Sequence, residues 1–170
     1  MGKYNTKKIV YMSLLSAIAI VLHSIEATLP LPLPLGVKLG FANIISLIVI
    51  ELYGAKEMFI VNIFRVMIAG LISGNIMSYP FFMSCGGVAL SSIILAILSK
   101  VTQLPVVSKS VISAIFHNIG QLLVLSFVVS TTAIMPYLFV TLSSSIPTGV
   151  LTGLCAVEVL RRVDKNKIRK

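Results

Sequence analysis

The chain has 170 residues, of which 57% are hydrophobic and 11% charged, and its mean hydropathy is +1.03. Soluble domains carry about 25% charged residues, so this composition excludes a soluble globular protein and indicates a membrane protein. The net charge of +9 is no sign of a nucleic acid partner: Lys3, Lys7 and Lys8 precede the first apolar run, while Arg161, Arg162, Lys165, Lys167, Arg169 and Lys170 follow the last.

A spanning helix needs roughly 20 apolar residues. The first predicted span covers about 8–28. The N-terminus has the charge of a signal peptide, but no small-residue cleavage site follows the apolar run, so a retained helix is expected. Next comes "LPLPLPLGVK", 29–38, where Pro30, Pro32 and Pro34 forbid a helix and favour stiff, extended backbone. The second span, 39–53, is short for a crossing. "GAKE", 54–57, reads as a polar turn, with the third span from Met58 to about Ser73, or over 55–73 if the helix begins at Ala55. "GNIMSYP", 74–80, is a loop, and the fourth span covers 81–99. "KVTQLPVVSK", 100–109, is a polar connector. The fifth span covers 110–130, "TTAIMP" is a turn, and the sixth span covers 137–160, ahead of a basic tail at 161–170.

Six spans place both termini on one side. With the termini cytoplasmic, the inner segments hold twelve of the fourteen basic residues; only Lys38 lies in an outer loop, and Arg65 lies inside a span. That asymmetry predicts an all-α, multi-pass protein of the cell membrane, a single integral domain of six transmembrane helices with both termini cytoplasmic. No internal repeat is evident, which disfavours an inverted-repeat carrier within one chain. Cys85 and Cys155 fall near opposite faces, so no disulfide is expected.

Small residues recur at four-residue spacing: Ser13 and Ala17, Gly70 and Gly74, Gly149 and Gly153. Each pair shares a helix face on which another backbone can pack closely, either within the bundle or in a partner protein.

Strongly polar residues inside the spans are few. Arg65 stands out, because a guanidinium in hydrocarbon costs roughly 3 kcal/mol or more and marks a functional site by default. Glu26 is the sole acid expected in an outer half, so Arg65 faces either Glu26 or the anion of a ligand; its planar fork suits phosphate or carboxylate. His23, Asn43, His117, Gln121, Asn75 and Tyr79 complete a candidate substrate-binding set between mid-membrane and the outer surface. The simpler alternatives are interhelical hydrogen bonds for Asn62 and Asn118, a satisfied buried group for His23, and a Glu26–Lys38 ion pair. Glu51, Glu57 and Glu158 fall at the inner boundary, near lysines. The proline loop lies at the mouth of the polar set, as a lid or a rigid spacer.

Catalysis is not expected. Prenyl-diphosphate chemistry needs clustered aspartates to hold magnesium, and the chain has one aspartate, Asp164. There is no phosphate-binding glycine-lysine loop, no Ser-His-Asp set, no metal-ligand spacing and no cofactor motif.

The stretch "LPLGVKLGFANIISLIVIELYGAKEMFIVNIFRVMIAGLISG", 33–74, resembles the Gx transporter family, also labelled heptaprenyl diphosphate synthase component I. The resemblance covers nearly the whole chain, most specifically in "GVKLGFANI" and "FRVMIAGLISG". That family is similar to the S components of energy-coupling factor vitamin transporters. The resemblance implies a six-helix S component that binds a small molecule near the outer face, with the first outer loop (Pro30, Pro32, Pro34) as a gate. It implies docking to a transmembrane T component through the first helix, where Ser13-x-x-x-Ala17 stands in for Ala-x-x-x-Ala, and energy from two cytoplasmic ATPases. The substrate implied is a vitamin-like anion such as a flavin. The alternative is an accessory membrane protein that binds an isoprenoid or quinone precursor; a small ion-coupled carrier is a third class.

Overall fold

The computed structural model describes residues 6–28, 40–130 and 136–163. Among these it contains six helices: α1 (Thr6–Thr28), α2 (Phe41–Leu52), α3 (Ala55–Ile72), α4 (Tyr79–Val101), α5 (Val106–Val129) and α6 (Tyr137–Arg162). No strand occurs among the described residues. Four of the helices, α1, α4, α5 and α6, are long and apolar enough to cross a bilayer. The all-helical membrane fold expected from composition is present.

Several boundaries differ from the sequence pattern for local reasons. Helix α3 already begins at Ala55, so Lys56 and Glu57 belong to its first turn. Only Tyr53 and Gly54 form the turn before it, and Gly54 has φ 103, a value that side-chain-bearing residues rarely adopt. Helix α4 starts at Tyr79, with Pro80 in its first turn, where proline's missing N–H costs nothing. Helix α5 starts at Val106, directly after Pro105, so the connector shrinks from ten expected residues to the four at 102–105.

Helix α2 is the centre of the molecule. Its twelve residues rise only about 18 Å, less than the ~30 Å hydrocarbon thickness, and its apolar side chains are buried nearly all round, from Ala42 to Leu52. A helix that is hydrophobic on every face belongs inside. It packs against α1, α3 and α6, and Leu47, Val49, Met58, Val61, Leu95 and Ala156 form the core around it. The outward faces carry Ile9, Leu14, Val21, Phe139, Leu151 and Leu154, all exposed. On a soluble protein such a surface would require a partner; here the bilayer covers it.

Contacts between helices fix the antiparallel arrangement. Lys8 pairs with Glu57 at 2.5 Å, joining the starts of α1 and α3. Lys109 pairs with Glu51 at 2.6 Å, joining the start of α5 to the end of α2. The Ser110 and Thr152 hydroxyls lie 3.0 Å apart, joining α5 to the end of α6. This end of the bundle, the basic end, holds every described lysine and arginine except Arg65. Glu51 and Glu57 are thus paired with lysines, and Glu158 with Arg162 at 2.7 Å.

Polar groups along the helices are consumed locally, as a low-dielectric solvent demands. Asn62 joins three helices: it accepts from Ser46 of α2 at 2.7 Å and donates to Ser92 of α4 at 2.8 Å. Asn118 donates to Ser145 Oγ at 2.6 Å and to the Thr141 carbonyl at 3.2 Å, tying α5 to α6. Both asparagines therefore act between helices. In α6 the hydroxyls of Ser143, Thr148 and Thr152 bond back to carbonyls one turn earlier.

Candidate ligand-binding site

Helix α3 buries Met58, Val61, Asn62, Arg65, Val66 and Ala69. That three-and-four spacing is one helix face, and Arg65 sits in its middle, 1% exposed. At 1.5 Å per residue Arg65 lies about 15 Å along α3 from Ala55, and α2 rises a similar distance from Leu52 to its first turn. Arg65 is therefore level with the N-terminus of α2.

Glu26 is also buried, at 6% exposure. It accepts a hydrogen bond from the backbone N–H of Gly40, the residue that caps α2. Gly40 has φ 78, a left-handed conformation that favours glycine. A carboxylate at this position complements the partial positive charge of the α2 N-terminus. It also lies near enough to Arg65 to act on it electrostatically. The guanidinium keeps unmet capacity: among the described residues, its Nε and Nη1 have no hydrogen-bond partner. Counting the described residues, one cation, one anion and a helix terminus worth roughly half a positive charge leave the locus net positive. Buried, positive and short of acceptors, it is suited to an anionic oxygen.

The other candidates fall into separate groups. Asn43 lies in the first turn of α2, its side-chain amide beside Gly40, and so belongs with Arg65 and Glu26. His23 lies one turn before Glu26 on α1 and, with Asn75, lines a cavity of ≈ 60 Å³ between α1, α3 and α4. Gln121 and His117 face α4 from α5, closing around Gly87, and His117 Nδ1 is 3.5 Å from Ser91 Oγ. Tyr79 is 62% exposed at the start of α4 and does not line that cavity. Pro30, Pro32 and Pro34, and Lys38, the alternative partner for Glu26, lie outside the described residues.

Sequence reasoning missed Ser84, which is buried and lines the same cavity. Serine in an apolar helix looks like a small packing residue, and nothing in the linear pattern marks it. No cluster of three His, Cys, Asp or Glu side chains able to hold a metal occurs among the described residues.

The three small-residue pairs have different surroundings. Gly149 and Gly153 are pressed on α5: an added Cβ would come 2.7 Å from the Val111 Cα and 2.8 Å from the Val107 Cα. Gly70 lies under Phe81, whereas Gly74 is open. Ser13 and Ala17 are exposed and line an open groove of ≈ 610 Å³ between α1 and α3, with Ile60, Phe64 and Ile68 on its other wall.

A family model described as heptaprenyl diphosphate synthase component I matches residues 15–159. No curated protein and no solved structure matches the chain.

Proposed function

The chain belongs to the heptaprenyl diphosphate synthase component I family, and we propose that this member is a non-catalytic membrane subunit that binds a small anion at Arg65 and works with partner proteins. The observation that carries the proposal is the guanidinium of Arg65, 1% exposed and, among the described residues, with two N–H-bearing nitrogens unpartnered beside a helix N-terminus. A charge held in hydrocarbon is costly, and an anionic ligand offsets that cost. Asn43 and Glu26 form the immediate surroundings; His23 and Asn75, in the small cavity, and His117 and Gln121, against Gly87, stand in separate groups. Tyr79, at the rim, is the weakest member of the set.

The partner reading is that of an S component. The six helices form one bundle embedded in the cell membrane, α2 as a short central helix, with the termini cytoplasmic; Ser13 and Ala17 dock a transmembrane T component, and separate ATPases supply energy. Its support is the exposure of that pair beside an open groove, when Gly149 and Gly153 are used up inside the bundle. The cargo is a vitamin-like anion such as a flavin. The scarcity of acids supports a non-enzymatic role: Glu51, Glu57 and Glu158 are paired with cations, and diphosphate chemistry needs several carboxylates around magnesium.

A second reading has its own support in the family's description. On it, the chain is an accessory subunit in prenyl diphosphate metabolism, and Arg65 holds the diphosphate of an isoprenoid. One experiment separates the two: gentle purification of the tagged protein from its native membranes, followed by mass spectrometry of everything bound. A vitamin-like anion with a T component and ATPases establishes the transport reading. A prenyl diphosphate with a soluble synthase and no ATPase establishes the accessory one. Recovery of neither an anion nor a partner defeats both.

A further inference from the structure

Helices α3 and α4 follow one another in sequence but do not close tightly along their length. The α4–α5 interface is sealed through Gly86, Gly87 and Gly120, with Gly120 so close that a Cβ there would come 2.5 Å from the Gly86 carbonyl. Between α3 and α4 there is instead a groove of ≈ 300 Å³, with Ile63, Val66 and Met67 on one wall and Cys85, Val88 and Ala89 on the other. Val66 also lines the smaller cavity that holds His23, Ser73, Asn75 and Ser84. Ser84 and Cys85, one in each, are consecutive on α4. The two spaces adjoin at Val66 and follow one face of α3 from Phe59 to its C-cap Ser73, a seam about 21 Å long.

The chemistry changes along the seam. Over its longer part the lining is apolar. The polar residues there, Asn62 and Ser92, are hydrogen-bonded to one another at 2.8 Å, and Asn62 also to Ser46, so they present no unmet demand. At the end remote from the basic end the lining turns polar. Among the described residues no Lys, Arg, Asp or Glu side chain lines either cavity, and an ionised head there would be desolvated without a counter-charge from them. A docked helix is a poor occupant, because close helix approach needs small residues and the exposed lips are Ile63, Met67 and Ile93. A thin, flexible chain fits between such lips.

We propose that the α3–α4 seam binds a single-chain amphiphile, its hydrocarbon chain in the groove and an uncharged hydroxyl-type head among His23, Ser73, Asn75 and Ser84. This site is separate from Arg65, which lines neither cavity, and does not depend on the anion-binding reading.

The test is photolabelling of the purified full chain in lipid nanodiscs, using a long-chain primary alcohol with a diazirine near its chain terminus. The expected adducts fall on residues 59–67 and 85–93, are displaced by the unmodified alcohol, and resist the corresponding phosphate monoester. Ala89→Phe, which fills the groove, should lose the adducts, while Ile146→Phe on the exposed face of α6 should keep them. Labelling spread over α1 and α6 without competition would mean bulk lipid only and would overturn the proposal. Equal displacement by the phosphate ester would overturn the uncharged head. Should Ala89→Phe fail to accumulate, the competition on the unaltered chain decides alone.

Discussion

Asn62 donates to Ser92 across 2.8 Å while its carbonyl oxygen accepts from Ser46 at 2.7 Å, so one side chain holds α2, α3 and α4 together. All three residues are buried, and the amide uses both of its polar ends. Interhelical hydrogen bonds in membranes average about 0.6 kcal/mol and reach about 1.7. Asn62→Ala is therefore expected to destabilise the bundle by roughly 1–2 kcal/mol in a reversible detergent unfolding assay. Replacing all three residues together, as Ser46→Ala, Asn62→Leu and Ser92→Ala, should recover part of that loss, since no polar group is then left unpaired. A triple variant less stable than Asn62→Ala would show that the amide shape matters more than its bonds.

Arg65 is expected to behave as a ligand group. Arg65→Ala should insert and fold yet lose about 2–5 kcal/mol of affinity for the bound anion, the usual cost of removing one partner of a buried charged contact. Arg65→Lys should rescue only in part, because lysine lacks the planar fork. Arg65→Ala also removes a cation that interacts electrostatically with buried Glu26, so Arg65→Ala combined with Glu26→Gln is the control. If the double variant regains stability but not affinity by calorimetry, binding and folding are separated at this residue. Unchanged affinity in every variant would make Arg65 purely structural.

The small-residue faces should divide by function. Ser13→Leu and Ala17→Leu add bulk to an exposed groove and should leave folding and ligand binding intact while reducing recovery of partner subunits. Gly153→Leu should instead impair folding, because its side chain would strike the Val107 backbone of α5. Thermal stability and co-purification measured on all three variants check the division. Loss of insertion in Ser13→Leu would place that face in the bundle instead.

Gly120 offers a sharper packing test. A methyl group there would come 2.5 Å from the Gly86 carbonyl and 3.0 Å from the Gly87 Cα, both backbone atoms that cannot rotate away. Gly120→Ala should cost about 1–3 kcal/mol by overpacking, despite alanine's better helix propensity. An unfolding curve shifted upward would show that α4 and α5 can separate freely.

Much of the architecture was legible in the linear pattern. Six apolar runs separated by proline, glycine and charged residues mark six helices, and apolar content this high leaves only the bilayer as solvent. The clustering of lysine and arginine was equally plain, because charge cannot be averaged into hydrocarbon. Arg65 could be singled out for the same reason: a cation in an apolar run is conspicuous whatever surrounds it. Helix ends were less legible at 100–109, where "VVSK" is neutral between connector and helix until Lys109 finds Glu51 on α2.

Tertiary structure alone decided which side chains share a site and which surfaces stay open. Glu26 and Gly40 are fourteen residues apart, and only packing puts that carboxylate at the α2 N-terminus beside Arg65. His117 and Gln121 share a face, as their spacing requires, but that α5 face turns to Gly87 of α4. The Ser13 and Gly149 motifs look alike on paper; one faces an open groove, the other the α5 backbone. Composition and periodicity set what each helix can bury, because these depend on a residue and its near neighbours. Which helix it is buried against depends on contacts far apart in the chain, and those exist only in the folded molecule.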